Sequence, residues 1–210
     1  MVGSLNGSKK TVLIASDIYG ISDAFLSLLG ETGVSDITIC VSPYQQDQSH
    51  FENEQQAYQC FQNYGGIDAY ILKISDALQS NIDIKQVVGF SAGAAAIYQV
   101  MSHLFKNDIQ LTLFYPSQIR YFLNKHPSCP CHIIFPESEP YFSLPDIIQV
   151  LKQQSALSEL KVEQNTYQHG FMNKDSKAFN ATAYNHYCQI LKVLLTQKKT
   201  LSAYISVNNP

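Results

Sequence analysis

The residues from Val87 to Ala96 read VVGFSAGAAA, and Gly89-Phe90-Ser91-Ala92-Gly93 within them sets one glycine two places before a serine and another two places after it. A chain needs that spacing where a buried strand turns abruptly into a helix and presents one hydroxyl at the tip, because side chains at the flanking positions would collide across the turn. In a chain of this composition the string arises by chance about once in twenty, so its surroundings decide its meaning. Ile84, Val87 and Val88 form a short apolar run suited to a buried strand. Ala94 to Ala96, Ile97, Val100, Met101 and Leu104 supply good helix formers at helical spacing. A small-residue turn that only packs a helix closely on a sheet is the plain alternative. Strand, sharp turn and helix in that order point instead to acyl transfer at Ser91.

A serine hydroxyl is a weak nucleophile at neutral pH, so such a turn calls for a histidine base and an acid that orients it, both further along the chain. Of six histidines, His50 precedes the turn, His103 and His186 fall in helical patterns, and His126 and His132 flank a proline-rich stretch leading into a strand. His169 remains. It follows the alternating segment Lys161 to Tyr167 (KVEQNTY), and Gly170 beside it marks a loop at a strand end, where a base belongs.

Cys131 to Phe135 (CHIIF) reads as a buried strand and Pro136 to Pro140 (PESEP) as the turn leaving it. Two carboxylates compete there: Glu139, before the proline that stiffens the loop, is the first choice, Glu137 the second and Asp146 a distant third. Serine, acid, histidine is the chain order used by α/β-hydrolases and not by trypsin-like or subtilisin-like proteases.

Several stretches together resemble the dienelactone hydrolase family of the α/β-hydrolase superfamily. Val12 to Gly20 (VLIASDIYG) is similar to the family's first strand and following loop, and the serine turn comes next. Leu113 to Pro116 (LFYP) resembles the strand ending in Tyr-Gly, and Ile133 to Pro140 (IIFPESEP) the strand and turn that deliver the acid. His169 to Asn173 (HGFMN), followed by Phe179 and a long helix, resembles the His-x-Phe segment. The resemblance implies that Ser91 attacks a carbonyl, His169 shuttles the proton and Glu139 holds the imidazole. It further implies an oxyanion hole from the backbone N–H groups of Ile18 and Ala92. Asp17, Tyr19, Phe90, Tyr115, Phe171 and Asn173 would then surround the substrate.

The chain also departs from the family pattern. Ser91 stands where dienelactone hydrolases carry cysteine, and a hydroxyl needs its base more than a thiolate does. Asp17 replaces a pocket glutamate, Glu139 an aspartate, and Asn173 an arginine that binds the substrate carboxylate. Lys174 is adjacent, but its ammonium is no substitute for a planar guanidinium fork. Dienelactone itself is therefore a doubtful substrate, and a small ester or lactone is expected. A thioesterase or broad carboxylesterase is the enzymatic alternative, and a catalytically silent relative acting as a binding protein is the other.

The 210 residues, 45% of them apolar, suit one compact α/β domain over 11–197, preceded by a flexible segment over 1–10 and followed by a tail over 198–210. Strands are expected at 11–15, 37–41, 86–89, 109–115, 131–135 and 160–167. Helices are expected at 21–30, within 51–79, and at 92–105, 144–155 and 178–197. Such alternation predicts a mainly parallel sheet with helices on both faces, the α/β-hydrolase fold. Gln45 to Tyr64, rich in Gln and Asn, reads as a solvated amphipathic helix. Sparse Lys and Arg, with net charge −3, offer no footprint for nucleic acid. No run approaches a membrane span, and the first ten residues lack the apolar core of a signal peptide, so a cytoplasmic location is expected. Five cysteines, an odd number, read as reduced thiols, and the one close pair, Cys129-Pro-Cys131, lacks a matching second pair or a clustered histidine, so neither metal nor cofactor is expected. The expected partner is a small-molecule ester or lactone. The oligomeric state is left open.

Overall fold

Six strands build one sheet. A computed structural model of the chain describes residues 11–33, 38–45, 50–81, 83–155 and 159–196, so the segments 1–10 and 198–210 lie outside the described residues. The strands are β1 (Thr11–Ala15), β2 (Thr38–Val41), β3 (Ile84–Phe90), β4 (Gln110–Phe114), β5 (Cys131–Phe135) and β6 (Leu160–Gln164). They lie in the order β2-β1-β3-β4-β5-β6, every neighbouring pair parallel. Parallel strands require crossovers, and the helices α1 (Asp23–Thr32), α2 (Glu54–Asn63), α3 (Gly66–Ser80), α4 (Ala92–Met101) and α5 (Leu144–Ser155) lie in them; the link from β4 to β5 carries no α-helix, and α6 (Ala181–Thr196) follows the last strand.

Both sheet faces are covered, which is why the central strands are apolar at odd and even positions alike. Leu13, Ala15, Val87, Leu111, Leu113 and Ile133 face the core shared with α3, α4 and α5. Val12, Ile14, Val88, Phe90, Phe114 and Ile134 face the core shared with α1 and α6. The chain leaves β1 toward the β2 edge and returns to place β3 on the other side of β1. In open α/β sheets the crevice at such a switch, beyond the carboxyl ends of the strands, is where ligands are bound. The loop after β1 carries Asp17 and Ile18, and the turn after β3 carries Ser91.

Two helices occupy the region within 51–79, as expected, the chain reversing between them through Gly65 and Gly66, both at positive φ; two other elements differ from expectation. α2 is amphipathic as expected, with Asn53 accepting from Gln56 N at 3.0 Å as its N-cap and Ala57 and Phe61 buried. A short 3-10 turn at Ser117–Tyr121 follows β4; Pro116 precedes it, and its isolated five residues carry no periodicity long enough to read. Last, β6 stops at Gln164, where Asn165 turns and its Oδ1 accepts from Tyr167 N at 2.9 Å.

Candidate active site

The turn after β3 is as tight as its glycines suggest. Ser91 sits at φ 49°, ψ −114°, a conformation that L-residues adopt at a cost of roughly 1–3 kcal/mol. Its amide donates to Phe114 O at 2.9 Å, continuing the sheet one residue beyond the strand. A Cβ on Gly89 would come within 2.6 Å of Ala94 Cα, and one on Gly93 within 2.4 Å of Ser16 O. The two glycines therefore let α4 press against the sheet directly behind the serine. The first intrahelical bond of α4 runs from Ala95 N to Ser91 O, leaving the amides of Ala92, Gly93 and Ala94 without a partner one turn back.

Ser91 Oγ lies 2.9 Å from His169 Nε2, and His169 Nδ1 lies 2.7 Å from Glu139 Oε1. Glu139 is the better shielded, its side chain 5% exposed against 24% for the imidazole. Glu137 instead points away, accepting from Gln168 Nε2 at 3.1 Å, and Asp146 lies exposed in the first turn of α5. Of the three carboxylates that compete in the sequence, Glu139 is the one beside the histidine. Tyr115, at φ 39° just past β4, sets its ring 4.9 Å from that of His169 and packs against Phe171 at 5.1 Å. Strained backbone thus occurs at the ends of two adjacent strands, both at the same crevice.

Bordered by Phe90, which precedes Ser91, and by Tyr115, which packs on His169, is a small hollow partly open to solvent. Its walls are Phe25 and Leu28 of α1 with Ala24, the strand-end residues Phe90 and Tyr115, and Met172 and Asn173 from the loop after His169; Asp17 completes it. Asp17 Oδ1 accepts from Tyr19 N at 2.9 Å and Oδ2 from Asn173 Nδ2 at 2.7 Å. Burial nonetheless dominates and pushes its carboxyl up to about 6, against the lowering effect of those two bonds and of nearby His169. Tyr44 Oη donates to Ile18 O and so anchors the loop that carries Asp17.

This backbone arrangement recurs among solved structures. A candidate dienelactone hydrolase from Klebsiella pneumoniae subsp. pneumoniae superposes with a TM-score of 0.65 over 91% of this chain and 88% of its own, at 11% identity. Dienelactone hydrolase from Anabaena variabilis does so at 0.57 and 14% identity, over 89% and 85%. P91, a dienelactone hydrolase-like promiscuous phosphotriesterase from metagenomic libraries, gives 0.56 and 12%, over 91% and 88%. The chain has the α/β-hydrolase fold. No protein-family profile matches it. In sequence, the uncharacterized protein YczH of Bacillus subtilis (strain 168) is 26% identical over 189 residues, which span 88% of this chain and 91% of that protein.

Within this fold the residues singled out from sequence fall into two groups. Ser91, His169, Glu139, Asp17, Phe90, Tyr115 and Asn173 converge on the crevice, together with the segments that carry the Ile18 and Ala92 amides. Tyr19 and Phe171 do not line the hollow. The Tyr19 ring packs edge-on to Phe51, and Phe171 is fully buried among Phe114, Tyr167 and Tyr187, supporting the loop that carries His169. Lys174 is also outside it, with Nζ donating to Glu31 Oε1 at 2.6 Å and Ser27 Oγ at 3.0 Å on α1. Ala24, Phe25, Leu28 and Met172 were not foreseen as wall residues. Their only signal is that Ala24, Phe25 and Leu28 share the buried face of the helix that follows the Asp17 loop, which reads as ordinary core until the neighbouring elements are in place.

The described residues contain no helix long and apolar enough to cross a membrane. All five cysteines are free thiols.

Proposed function

We propose that this protein is a serine hydrolase cleaving a small ester or lactone through an acyl-enzyme. The observation that carries the reading is the unbroken chain of contacts Ser91 Oγ, His169 Nε2, His169 Nδ1, Glu139 Oε1, at 2.9 and 2.7 Å, set at the switch point of the sheet.

In this mechanism His169 Nε2 takes the proton of Ser91 as Oγ attacks the acyl carbon, while Nδ1–H donates to Glu139. The carboxylate fixes the tautomer with Nε2 free to accept and stabilises the imidazolium that forms. The tetrahedral oxyanion is held by the amides of Ala92, at the start of α4, and Ile18; each such donor is worth about 3–4 kcal/mol of barrier. His169 then returns the proton to the leaving oxygen, and water repeats the sequence to free the acid and restore Ser91. The strained φ of Ser91 keeps its hydroxyl raised from the sheet and is a structural cost tied to this role.

Labelling with an active-site-directed fluorophosphonate tests the reading. Wild type should label and Ser91→Ala should not; equal labelling of both would reject Ser91. A panel of esters, lactones and thioesters of graded chain length then separates the ester or lactone reading from a thioesterase. Turnover of thioesters alone would count against it.

A further inference from the structure

We propose that the hollow bordered by Phe90 and Tyr115 is an acyl pocket that accepts short uncharged acyl groups and turns away those ending in a carboxylate, Asp17 setting the choice. The inference rests on the reading of Ser91 as the group that becomes acylated.

Asp17 is 8% exposed and forms part of the wall. Its two oxygens are held in place by Tyr19 N and Asn173 Nδ2, so the carboxyl does not swing out to solvent when a substrate enters. Asn173 is in turn committed, its Oδ1 accepting from Asp175 N at 2.8 Å. No cation is among the residues lining the hollow. Lys174, the nearest along the chain, is held on the outer side of α1 by Glu31 and Ser27 and lies over the Tyr184 ring. Arg120 is the only arginine in the sequence, and it donates to Ser117 O and Tyr121 Oη and lies over the rings of Tyr121 and Phe142.

A carboxylate entering this space would meet a like charge among Phe25, Leu28, Phe90 and Met172, with nothing to compensate it. At an effective dielectric constant of about 20, two like charges a few ångströms apart repel enough for roughly 100-fold discrimination. Tyr115 Oη is fully buried beside the backbone of Met172. It is a neutral group and does not offset a full negative charge beside Asp17.

The test compares kcat/KM for ethyl butyrate and monoethyl succinate, which match in chain length and differ in the terminal charge, with ethanol release as the readout. Wild type at pH 8 should prefer the butyrate about 100-fold, and most of the preference should disappear at pH 5.5 as Asp17 takes up a proton. Asp17→Asn should lower the preference at pH 8 and remove its dependence on pH, whatever happens to the absolute rates. Equal use of the two esters by wild type, or an unchanged preference in Asp17→Asn, would overturn the inference and leave the role of Ser91 standing. Absence of both turnover and fluorophosphonate labelling would overturn the reading of Ser91 and the inference together.

Discussion

Glu137 and Glu139 are two residues apart, yet only one touches the imidazole. Replacing Glu139 by Gln keeps the shape but removes the charge that favours Nδ1–H and stabilises the imidazolium. We expect kcat on a responsive ester to fall by roughly 10³–10⁴-fold, while Glu137→Gln, altering an exposed bond to Gln168, stays within about threefold. A comparable loss in both variants would reassign the acid. Asp17 makes a separate prediction about stability. Its folded carboxyl titrates near 6 and its unfolded one near 3.8, so between those values the native state holds a proton that the unfolded state has released. Stability from this group is therefore complete below about pH 4 and is lost as pH rises through 6, by about 3 kcal/mol in all. Asp17→Asn should gain on wild type by about 1–3 kcal/mol in urea unfolding on going from pH 4.5 to pH 8. A difference between the two proteins that does not change with pH would show that the buried carboxyl carries no such penalty.

At the level of elements, α1 and α4 contain glycines with opposite roles. Gly93 lies where α4 meets β1, and a Cβ there would strike Ser16 O at 2.4 Å and Ala15 Cβ at 2.9 Å. Backbone cannot move aside cheaply, so Gly93→Ala should cost about 2–4 kcal/mol and slow labelling of Ser91 by displacing the turn. Gly30 in α1 has nothing within 4 Å of its would-be Cβ, and Gly30→Ala should stabilise by about 0.5–1 kcal/mol through the greater backbone freedom it removes from the unfolded chain. Urea midpoints for the pair check both; equal effects would contradict the close approach of α4 to β1. α1 also binds the loop after His169 along its length, through Ser22 Oγ to Asp175 Oδ2 at 2.6 Å and Lys174 to Glu31, so helix and histidine loop are positioned together. None of those links is local in sequence, since Ser22 and Asp175 are 153 residues apart. The central strands were readable for the opposite reason: a strand buried on both faces is a continuous apolar run, visible in VLIA or CHIIF without knowledge of its neighbours, whereas β6 showed only as an alternating segment. What stayed hidden depends on three-dimensional approach: which of Glu137 and Glu139 meets His169, and the wall contributed by Phe25 and Leu28.

For the molecule as a whole, stability against pH is the sum of groups pulling in opposite directions. Away from the crevice, between β5, β6 and α6, His132 Nε2 lies 3.1 Å from Glu163 Oε2, and Tyr187 Oη donates to Glu163 Oε1 at 2.7 Å. Burial holds His132 below its ordinary range, against the raising effect of Glu163. The His132 and Tyr187 contacts, against a smaller opposing effect of burial, lower Glu163 to about 2. In both cases the unfolded chain binds protons more readily than the folded one. Stability therefore falls as pH drops below about 6.5 through His132, and falls again between about 4.5 and 2 through Glu163. Asp17 acts with the reverse sign over about 4 to 6 and flattens the profile there. Glu163→Gln removes the low-pH contribution while keeping an acceptor for Tyr187. With allowance for the partial exposure of Glu163, this variant should be less stable than wild type by about 2 kcal/mol at pH 7, and the gap should close by pH 2.5. Chemical unfolding at the two pH values measures it. A gap of the same size at both would mean that the His132, Glu163 and Tyr187 cluster stabilises the three elements through packing rather than through charge.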